Sequence, residues 1–407
     1  MRWLVPGLTA LVALVFAAIA PSSGSTSATA PVYIGALLPL TGSLSSYGET
    51  SRAALLEAVD DINAMGERPI EIVFEDTGTD PATAVAGLAR LRDMGVRIVI
   101  GPYASSQVIA VKPMAEAAGM LLISPLSTAR SLAIPGDNIL RFTPDDGQEG
   151  IALAALAYTD GARVLVPLSR NDAGNLGLQD AVKVTFEEMG GKVLQPVVYG
   201  TTQTDFKAEL AQVAATIKQQ MAAGVEVGVY LTAFGEVTNL FHDAAAGDPV
   251  LKSVKWYGSD SVAQSKDLSD DKAAAAFAVE VDYPNPILGL ADGDKPIWGP
   301  VSDGVVARIG REPDAFALAA YDAIQLAYRV RAHLDGGTSV QELRRQIEIA
   351  AETYVGLTGP AVLNAAGDRA LGNYDFWRVC PSGSNYVWVR GAVYIASSGE
   401  AARLPAC

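Results

Sequence analysis

The chain has 407 residues, enough for two folded lobes, and half of them are hydrophobic, which excludes disorder as the main state. Lys and Arg number 30 against 45 Asp and Glu, and the resulting charge of −15 repels phosphate backbones, which argues against nucleic acid as a partner. Two His and two Cys are too few for the usual structural zinc site, and we expect neither a metal nor a cofactor.

Residues 1–30 have the pattern of a secretory signal peptide. Arg2 precedes an apolar run from Leu8 to Ala20, and an uncharged Ser/Thr/Ala stretch follows it. Cleavage is expected after Ala20 or after Ala30, although Pro21 disfavours the first site. An uncleaved membrane anchor is the alternative, but the run is shorter than a membrane span needs. No cysteine follows the run to carry a lipid, so we expect a soluble chain exported to the periplasm.

From residue 32 onward, short apolar strands alternate with helical patterns. A first series has predicted strands at 32–38, 70–74, 96–100, 121–123 and 139–142, with helices that include 79–91 and 105–118. A second series has strands at 164–166, 193–199, 225–231 and 254–257. Polar stretches with proline at 143–147 and 281–286 bound it, and helices at 315–333 and 340–351 follow. This alternation predicts an α/β fold with mainly parallel sheets covered by helices on both faces.

Both cysteines, Cys380 and Cys407, lie in the final segment of the chain. In an exported protein, a disulfide between them would close a C-terminal loop and hold the tail in place. Two free thiols are the alternative, and we favour the disulfide.

The motifs of common enzyme classes are absent from the sequence. It contains no G-x-S-x-G, G-x-G-x-x-G, P-loop or H-E-x-x-H pattern. His242 and His333 lie within helical patterns, where a surface or structural role is commoner than catalysis. The paired carboxylates at 60–61, 145–146 and 270–271 are interpreted as mostly solvated faces of an acidic protein. We therefore predict that the protein is not an enzyme.

Hydroxyl side chains follow two neighbouring strands of the first series. Ser105 follows the strand at 96–100 and is placed to cap the next helix, where its hydroxyl and the free backbone N–H groups would suit a carboxylate. Ser127 and Thr128 follow the strand at 121–123. Ligands of open parallel sheets bind outside the carboxyl ends of the strands, so these loops form a candidate site. An ordinary helix cap or turn is the alternative for each loop alone.

With these loops in place, the chain resembles the periplasmic leucine/isoleucine/valine-binding proteins, the substrate-binding components of amino-acid ABC importers. The resemblance covers nearly the whole chain after residue 31. It implies a type I periplasmic binding fold, with two α/β lobes, three hinge crossings and a cleft that closes on the ligand. The matching motifs, in chain order, are Ile34–Gly42, Tyr47-Gly48, Asp61–Ala64, Ile100-Gly101-Pro102 with Ser105-Ser106, Ile123-Ser124-Pro125 with Thr128, Tyr257-Gly258-Ser259-Asp260, and Gly356-x-x-Gly359.

The implied organisation places residues 31–144 plus 284–350 in lobe 1 and residues 145–283 plus 351–407 in lobe 2. The implied function is capture of a small solute, favoured as a neutral or branched-chain α-amino acid, and its delivery to the membrane permease subunits of the importer. A monomer is expected. A rival with the same fold is a periplasmic activator of a peptidoglycan synthase, which would need an exposed docking surface rather than a binding cleft.

The resemblance also implies how an amino acid would be held. Ser105 and Thr128 match the residues that bind the α-carboxylate. Asp260 matches the acidic residue that binds the α-ammonium, helped by a backbone carbonyl near Leu126. Because Asp260 would come from the second lobe, its contact with the ligand would form only when the cleft closes.

The side-chain end of the ligand is less closely specified. Tyr47 matches an aromatic residue that lies against the ligand, and Tyr103 and Ser127 lie beside the hydroxyl residues in the same loops. An aromatic position of the family falls on Ala233 or Phe234, of which we include Phe234. The family's Tyr-Gly-x-Gly motif is replaced here by Gly-Asn-Leu-Gly at 174–177, which leaves the size of the pocket open.

Overall fold

The computed structural model describes residues 30–334, 337–405 and 407. The predicted signal peptide thus lies outside the described residues except for its last position. Within the described part of the chain, no helix is long and apolar enough to cross a membrane.

A parallel five-stranded sheet organises the first part of the chain. Its strands are β1 (Val32–Leu38), β2 (Ile70–Asp76), β3 (Ile98–Ile100), β4 (Leu121–Ser124) and β5 (Ile139–Arg141), and its helices are α1 (Ser45–Ala64), α2 (Pro81–Asp93) and α3 (Ser105–Ala118). The strand order is β2-β1-β3-β4-β5. The predicted bounds of β1 and α3 are the observed ones.

A second parallel sheet follows. Its helices are α4 (Asp146–Thr159), α5 (Ala173–Glu188), α6 (Lys207–Ala222), α7 (Val237–Ala246), α8 (Lys266–Asp270) and α9 (Lys272–Glu280), and its strands are β6 (Val164–Arg170), β7 (Lys192–Val193), β8 (Val197–Tyr199), β9 (Val227–Thr232) and β10 (Lys255–Tyr257). The order is β10-β9-β6-β7, and β8 also pairs with β6. Every residue of β6 and β9 is buried, as expected for strands covered on both faces.

The last part of the chain adds helices to the first sheet and a new sheet of its own. Its elements are β11 (Asn285–Leu288), α10 (Lys295–Ile309), α11 (Ala315–Arg329), α12 (Val340–Glu352), β12 (Val355–Gly356), β13 (Gly359–Pro360), β14 (Tyr374–Ser382), β15 (Asn385–Ile395) and β16 (Glu400–Arg403). The order β11-β14-β15-β16 is antiparallel throughout and was not predicted.

Three predicted elements have different bounds, for identifiable reasons. The predicted strand at 193–199 is split into β7 and β8, and Pro196, which has no N–H to donate, lies in the break. Helix α2 begins at Pro81 rather than residue 79, because Asp80 caps it by accepting from the Thr83 N–H at 2.8 Å. Helix α11 ends at Arg329, and a short 3-10 turn then covers Arg331–His333.

The buried residues fall into cores on either side of the cleft. One core joins β1, β3 and β4 to α1 and α11. A second joins the other face of the same sheet to α2 and α3. Two more join β6 and β9 to α6, α7 and α9, and join α4 and α5 to the antiparallel sheet. The chain therefore passes between the two sides after β5, before β11 and before β14. Tyr354, Leu357 and Ala361, predicted for lobe 2, pack in the first core.

The C-terminal tail is tied to the antiparallel sheet. Cys380 on β14 forms a disulfide with Cys407, and their Cα atoms are 5.6 Å apart. No cysteine among the described residues is free. The tail also reaches α4, because Arg403 donates to the carboxylate of Asp160 at the end of that helix.

Candidate functional site

A small closed cavity lies between the two parallel sheets, where the loops after β3, β4, β6, β9 and β10 meet. Its volume of about 10 Å³ matches the space occupied by a single water molecule. Anything larger can enter only when the two sides move apart. The residues that line it are Ala104, Ser105, Leu126, Thr128, Asp146, Gly174, Asn175, Leu178, Phe234, Asp260 and Ser261.

The loop after β3 depends on a glycine, because any other residue at this position would force the neighbouring backbone to move. Gly101 has a φ of +104°, and a Cβ there would lie 2.2 Å from the carbonyl oxygen of Leu37. This turn leads directly to Ala104 and Ser105 at the start of α3. The expected helix cap is wrong: Ala104 is the N-cap residue, and Ser105 is the first residue of the helix.

Because Ser105 does not cap the helix, its hydroxyl takes part in a small hydrogen-bond network instead. It accepts from the Ser127 hydroxyl at 3.0 Å and from the Ala129 N–H at 3.2 Å. A hydroxyl has two acceptor lone pairs and one donor hydrogen. Both acceptor positions of Ser105 are therefore used within the protein, and its hydrogen remains to be donated to a ligand oxygen.

The loop that carries Thr128 is held from below by a buried arginine. Arg141 donates to the carbonyl oxygens of Ser127 at 3.3 Å and of Ala129 at 2.8 Å. Its charge is balanced by Asp368, which accepts two hydrogen bonds at 2.5 and 2.6 Å. These bonds fix Thr128 at the cavity wall, with its side chain 8% exposed.

Asp260 reaches the cavity from the opposite side, in the loop after β10. Gly258 permits that loop, because a Cβ at this position would lie 1.8 Å from Oδ1 of Asn285. Oδ1 of Asp260 accepts from the Ser261 hydroxyl at 2.8 Å, whereas Oδ2 is buried without a hydrogen-bond partner in the described chain. Burial raises the pKa of Asp260 to about 6, and the bonds from Ser261 oppose the rise.

Two further carboxylates lie beside Asp260, on the first turn of α4. Oε1 of Glu149 accepts from the backbone N–H of Asp260 at 3.1 Å. Asp146 lies one turn earlier on the same helix and lines the cavity. Burial, followed by the charges of Asp260 and Asp146, raises the pKa of Glu149 well above its ordinary value. Burial raises the pKa of Asp146 to about 8.

The burial of Asp146 corrects the interpretation of the pair at 145–146 as a solvated face. Asp145 is the N-cap of α4 and accepts from the Gly147 N–H at 2.9 Å, but the side chain of Asp146 is fully buried. A sequence signal was available: the acidic residues at 146 and 149 share one helix face directly after a predicted crossing. In the described residues, no group of His, Cys, Asp and Glu is arranged to hold a metal ion.

Hydrogen bonds join the two sides of the cleft, so the structure is in the closed conformation. The Tyr47 hydroxyl on α1 lies 2.7 Å from the carbonyl oxygen of Ala263 and 3.1 Å from that of Asp260, and donates to this pair. The N–H of Gly235 donates to the Ser43 carbonyl at 3.0 Å. The N–H of Lys266 donates to the Ser46 hydroxyl at 3.0 Å.

Five of the eight predicted ligand-binding residues line the cavity, and three lie just behind it. Phe234 rather than Ala233 faces the cavity, and its ring packs against the guanidinium of Arg170 at 4.7 Å. Tyr47, Tyr103 and Ser127 are not lining residues. The ring of Tyr47 packs edge-on against Phe316, and its hydroxyl bridges the cleft. The lining residues are Ser105, Leu126, Thr128, Phe234 and Asp260.

Sequence reasoning did not single out the residues that α5 contributes. Gly174, Asn175 and Leu178 line the cavity at the start of this helix. Asp172 caps α5 by accepting from the N–H groups of Gly174 and Asn175, both at 3.0 Å. The position where the family has a Tyr-Gly-x-Gly motif thus presents small and polar groups to the cleft.

Comparison with known proteins agrees with this architecture. A family model described as periplasmic binding protein matches residues 31–384. The Leu/Ile/Val-binding protein of Escherichia coli is 26% identical over 310 residues, which cover 75% of this chain and 78% of that protein. Two crystal structures share the fold, each at 20% sequence identity. A leucine-binding protein of Thermotoga maritima aligns with a TM-score of 0.73 over 90% of this chain and 99% of that chain. An R. palustris ABC-transporter solute-binding protein in complex with benzoate aligns with a TM-score of 0.71 over 88% of this chain and 96% of that chain.

The match of the family model covers both parallel sheets and two strands of the antiparallel sheet, β11 and β14, so it concerns the whole architecture and not one lobe. The expected resemblance and the expected two-sheet α/β fold are confirmed. The chain belongs to the periplasmic binding protein family, and is therefore a solute-binding protein and not an enzyme.

Proposed function

We propose that this chain is the solute-binding component of an ABC importer and that its ligand is an α-amino acid. The observation that carries the proposal is the convergence of Ser105, Thr128 and Asp260 on one closed cavity, although they come from loops after three different strands. Two of these loops lie on one side of the cleft and the third lies on the other. A ligand that contacts all three would favour the closed form over the open one.

The chemistry of these groups fits a zwitterion. Ser105 has a hydrogen to donate to a carboxylate, and Oδ2 of Asp260 has no partner and can accept from an ammonium group. A buried zwitterion needs both kinds of partner, because an unpaired charge in a dry cavity costs several kcal/mol. Closure over a cavity this small excludes water and strengthens each of these contacts.

The relatives bind different classes of ligand, and the carboxylates of this site favour one of these classes over the other. The relatives named above bind leucine, isoleucine and valine in one case and benzoate in another. Benzoate is an anion without an ammonium group, so it would leave the buried Oδ2 of Asp260 without a partner. The acidic cavity therefore supports an amino acid over an aromatic acid, and leaves the nature of its side chain to be determined.

Two further parts of the proposal concern location and partners. The composition of residues 1–30 supports export through a cleaved signal peptide, and mass spectrometry of the exported chain would test it by its N-terminal residue. The membrane permease subunits of an ABC importer are the proposed receivers of the ligand. The division into two lobes at residues 144 and 284 is part of the same proposal, with the third boundary moved from residue 351 to a point after Ala361, because Tyr354, Leu357 and Ala361 pack in the first core.

A thermal-shift screen of the unfolded and refolded protein tests the ligand class. The panel contains the twenty amino acids, small amides and aromatic acids, and a ligand at a hundredfold excess over Kd stabilises the protein by about 2.7 kcal/mol. We expect amino acids to raise the Tm. Asp260→Asn should weaken their binding at least about thirtyfold, because it removes the counter-charge of the ammonium group.

The control is Asp267→Asn, which removes an equal charge from an exposed position on α8. It should leave the affinity unchanged. Stabilisation by aromatic acids alone, or equal binding by Asp260→Asn and the control, would contradict the amino-acid proposal. Silence across the whole panel would favour the activator of a peptidoglycan synthase, and capture of such a partner by the immobilised protein would be the next test.

A further inference from the structure

The cavity contains more carboxylate than one ammonium group requires. Asp146, Glu149 and Asp260 are each at least 96% buried. By distance and angle, four of their oxygen atoms have no hydrogen-bond partner within the described chain: both of Asp146, Oε2 of Glu149 and Oδ2 of Asp260. The Thr128 hydroxyl still lies close enough to Asp146 to oppose the rise of its pKa, and the side chains of Glu149 and Asp260 interact with each other. The three groups come from two separate segments, the first turn of α4 and the loop after β10.

No cation of the described chain neutralises this cluster. None of the ion pairs among the described residues includes Asp146, Glu149 or Asp260. Arg141 is the cation that acts on Asp146, and its guanidinium is already engaged by Asp368.

The carboxylates do not serve the helix on which two of them stand. Acidic residues are stabilised at helix N-termini, but the cap of α4 is Asp145. Asp146 accepts no hydrogen bond from the first turn, and its unpartnered oxygens face the cavity. A buried carboxylate with a purely structural role is normally hydrogen-bonded, since its burial is otherwise unfavourable.

Building on the proposed amino-acid function, we infer that the ligand carries a second cationic nitrogen, so that it is a diamino acid of net positive charge. Asp260 holds the α-ammonium group, and Asp146, beside it on the first turn of α4, holds the second nitrogen. Glu149 is a positioning residue, because it accepts the backbone N–H of Asp260 and lies behind it. This ligand class departs from the neutral or branched-chain side chain favoured by the sequence.

The contacts around Asp146 agree with this arrangement. Asp146 lies next to the Thr128 loop, since its own N–H donates to the Thr128 carbonyl at 2.9 Å. Asn175 and Ser261 supply further polar groups at the same wall. Leu126, Leu178 and Phe234 provide the apolar surface that the methylene groups between the two nitrogens would contact.

A matched series of ligands tests the inference on the wild-type protein. Diamino acids with one to four methylene groups between Cα and the second nitrogen, from 2,3-diaminopropionate to lysine, are compared by calorimetry at pH 7.5. Each is paired with the neutral amino acid of the same chain length, such as norvaline for 2,4-diaminobutyrate and norleucine for ornithine. We expect at least one diamino acid to bind tenfold or more tightly than its neutral counterpart.

The outcomes separate the inference from the function on which it rests. Tighter binding by every neutral member of the series would overturn the inference and leave the amino-acid proposal standing. Failure of all members, neutral and cationic, to bind would overturn the amino-acid proposal itself. The series needs no variant protein, so a folding defect cannot obscure its result.

A variant then assigns the second nitrogen to its partner. Asp146→Asn should reduce the ratio of diamino-acid to neutral-amino-acid affinity at least tenfold, because the amide has no negative charge. Asp270→Asn, at an exposed position on α8, is the matched control and should leave the ratio unchanged. An unchanged ratio in Asp146→Asn, with a native near-ultraviolet circular dichroism spectrum, would show that Asp146 does not hold the second nitrogen.

Discussion

The carboxyl group of Asp146 differs from an ordinary aspartate because the folded protein removes it from water and compensates for this only in part, through Thr128 and Arg141. Burial is the largest cause of the rise of its pKa to about 8. The charges of Asp260 and Asp145 add to the rise, while Thr128 and Arg141 oppose it. Tyr230 and Tyr374 also face the cluster, and burial raises the pKa of both phenols well above the ordinary range. The group is therefore protonated in the closed protein at neutral pH.

A raised folded-state pKa makes stability depend on pH in a defined direction. Because the folded state holds the proton of Asp146 more tightly than the unfolded state, its contribution is full below about pH 4 and is lost as the pH rises towards 8. We expect Asp146→Asn, which cannot titrate, to gain stability relative to wild type by up to about 1.4 kcal/mol per pH unit across this window. Urea denaturation of the ligand-free protein at several pH values measures the difference.

The comparison has an internal control. Asp270→Asn removes an exposed carboxylate and should follow the wild-type pH dependence throughout. Parallel curves for wild type and Asp146→Asn would contradict the raised pKa, because they would mean that the group titrates alike in the folded and unfolded states. The comparison is made in the absence of ligand, since a bound cation would favour the ionised form.

Some of the individual residues at the cavity could be predicted from the sequence, and others could not. Ser105, Thr128 and Asp260 were found because each belongs to a motif with a fixed place after a strand. Asp146 was missed, because adjacent acidic residues are common on the surfaces of acidic proteins and the sequence does not record which of them is buried. The cap assigned to Ser105 was wrong for a similar reason, since a serine hydroxyl at a helix start can bind either the helix or a neighbouring loop.

At the scale of elements, the parallel strands were predictable and the antiparallel sheet was not. Strands such as β4 and β9 are continuous apolar runs because both of their faces are buried, and such runs stand out in a sequence. The antiparallel strand β15 has only a few buried positions among intermediate and exposed ones, so its pattern is weak. The sheet also depends on tertiary contacts with α4, which leave no local signal. The disulfide was expected from the two cysteines, but a disulfide does not indicate a sheet.

The disulfide allows a test of how much this sheet owes to its covalent link. The bond between Cys380 and Cys407 closes a segment with a sequence separation of 27. Loop entropy predicts that Cys380→Ala with Cys407→Ala lowers the free energy of unfolding by about 3–4 kcal/mol. Denaturation of the double variant measures the loss.

Ligand affinity should be retained in the double variant. Cys380 lies six residues along β14 from Tyr374, the residue of this strand that faces the acidic cluster, which corresponds to roughly 20 Å of extended chain. Wild-type protein treated with a reductant should reproduce the loss of stability. Equal stability of the reduced and oxidised protein would contradict the expected role of the bond.

At the scale of the whole molecule, the closed cleft depends on few contacts, and Tyr47 makes one of the most central. Its hydroxyl on α1 donates to the carbonyl oxygens of Asp260 and Ala263, in the loop that also carries the carboxylate proposed to bind the ammonium group. The same loop region is held by the bond from the Lys266 N–H to Ser46. Closure and ligand binding are thus linked through one segment of backbone, and a change to the bridge should alter the lifetime of the complex.

We expect Tyr47→Phe to accelerate ligand dissociation about two- to tenfold, because it removes one hydrogen bond worth about 0.5–1.5 kcal/mol that exists only in the closed form. Stopped-flow displacement measures the rate, and small-angle scattering of the liganded variant should show a larger open fraction. Tyr328→Phe is the matched control, since its hydroxyl donates to the Arg68 carbonyl at 2.5 Å and both residues belong to the same side of the cleft. It should cost similar stability without changing the dissociation rate. If both variants accelerated dissociation equally, the effect would reflect general loosening, and the bridge would have no special part in closure.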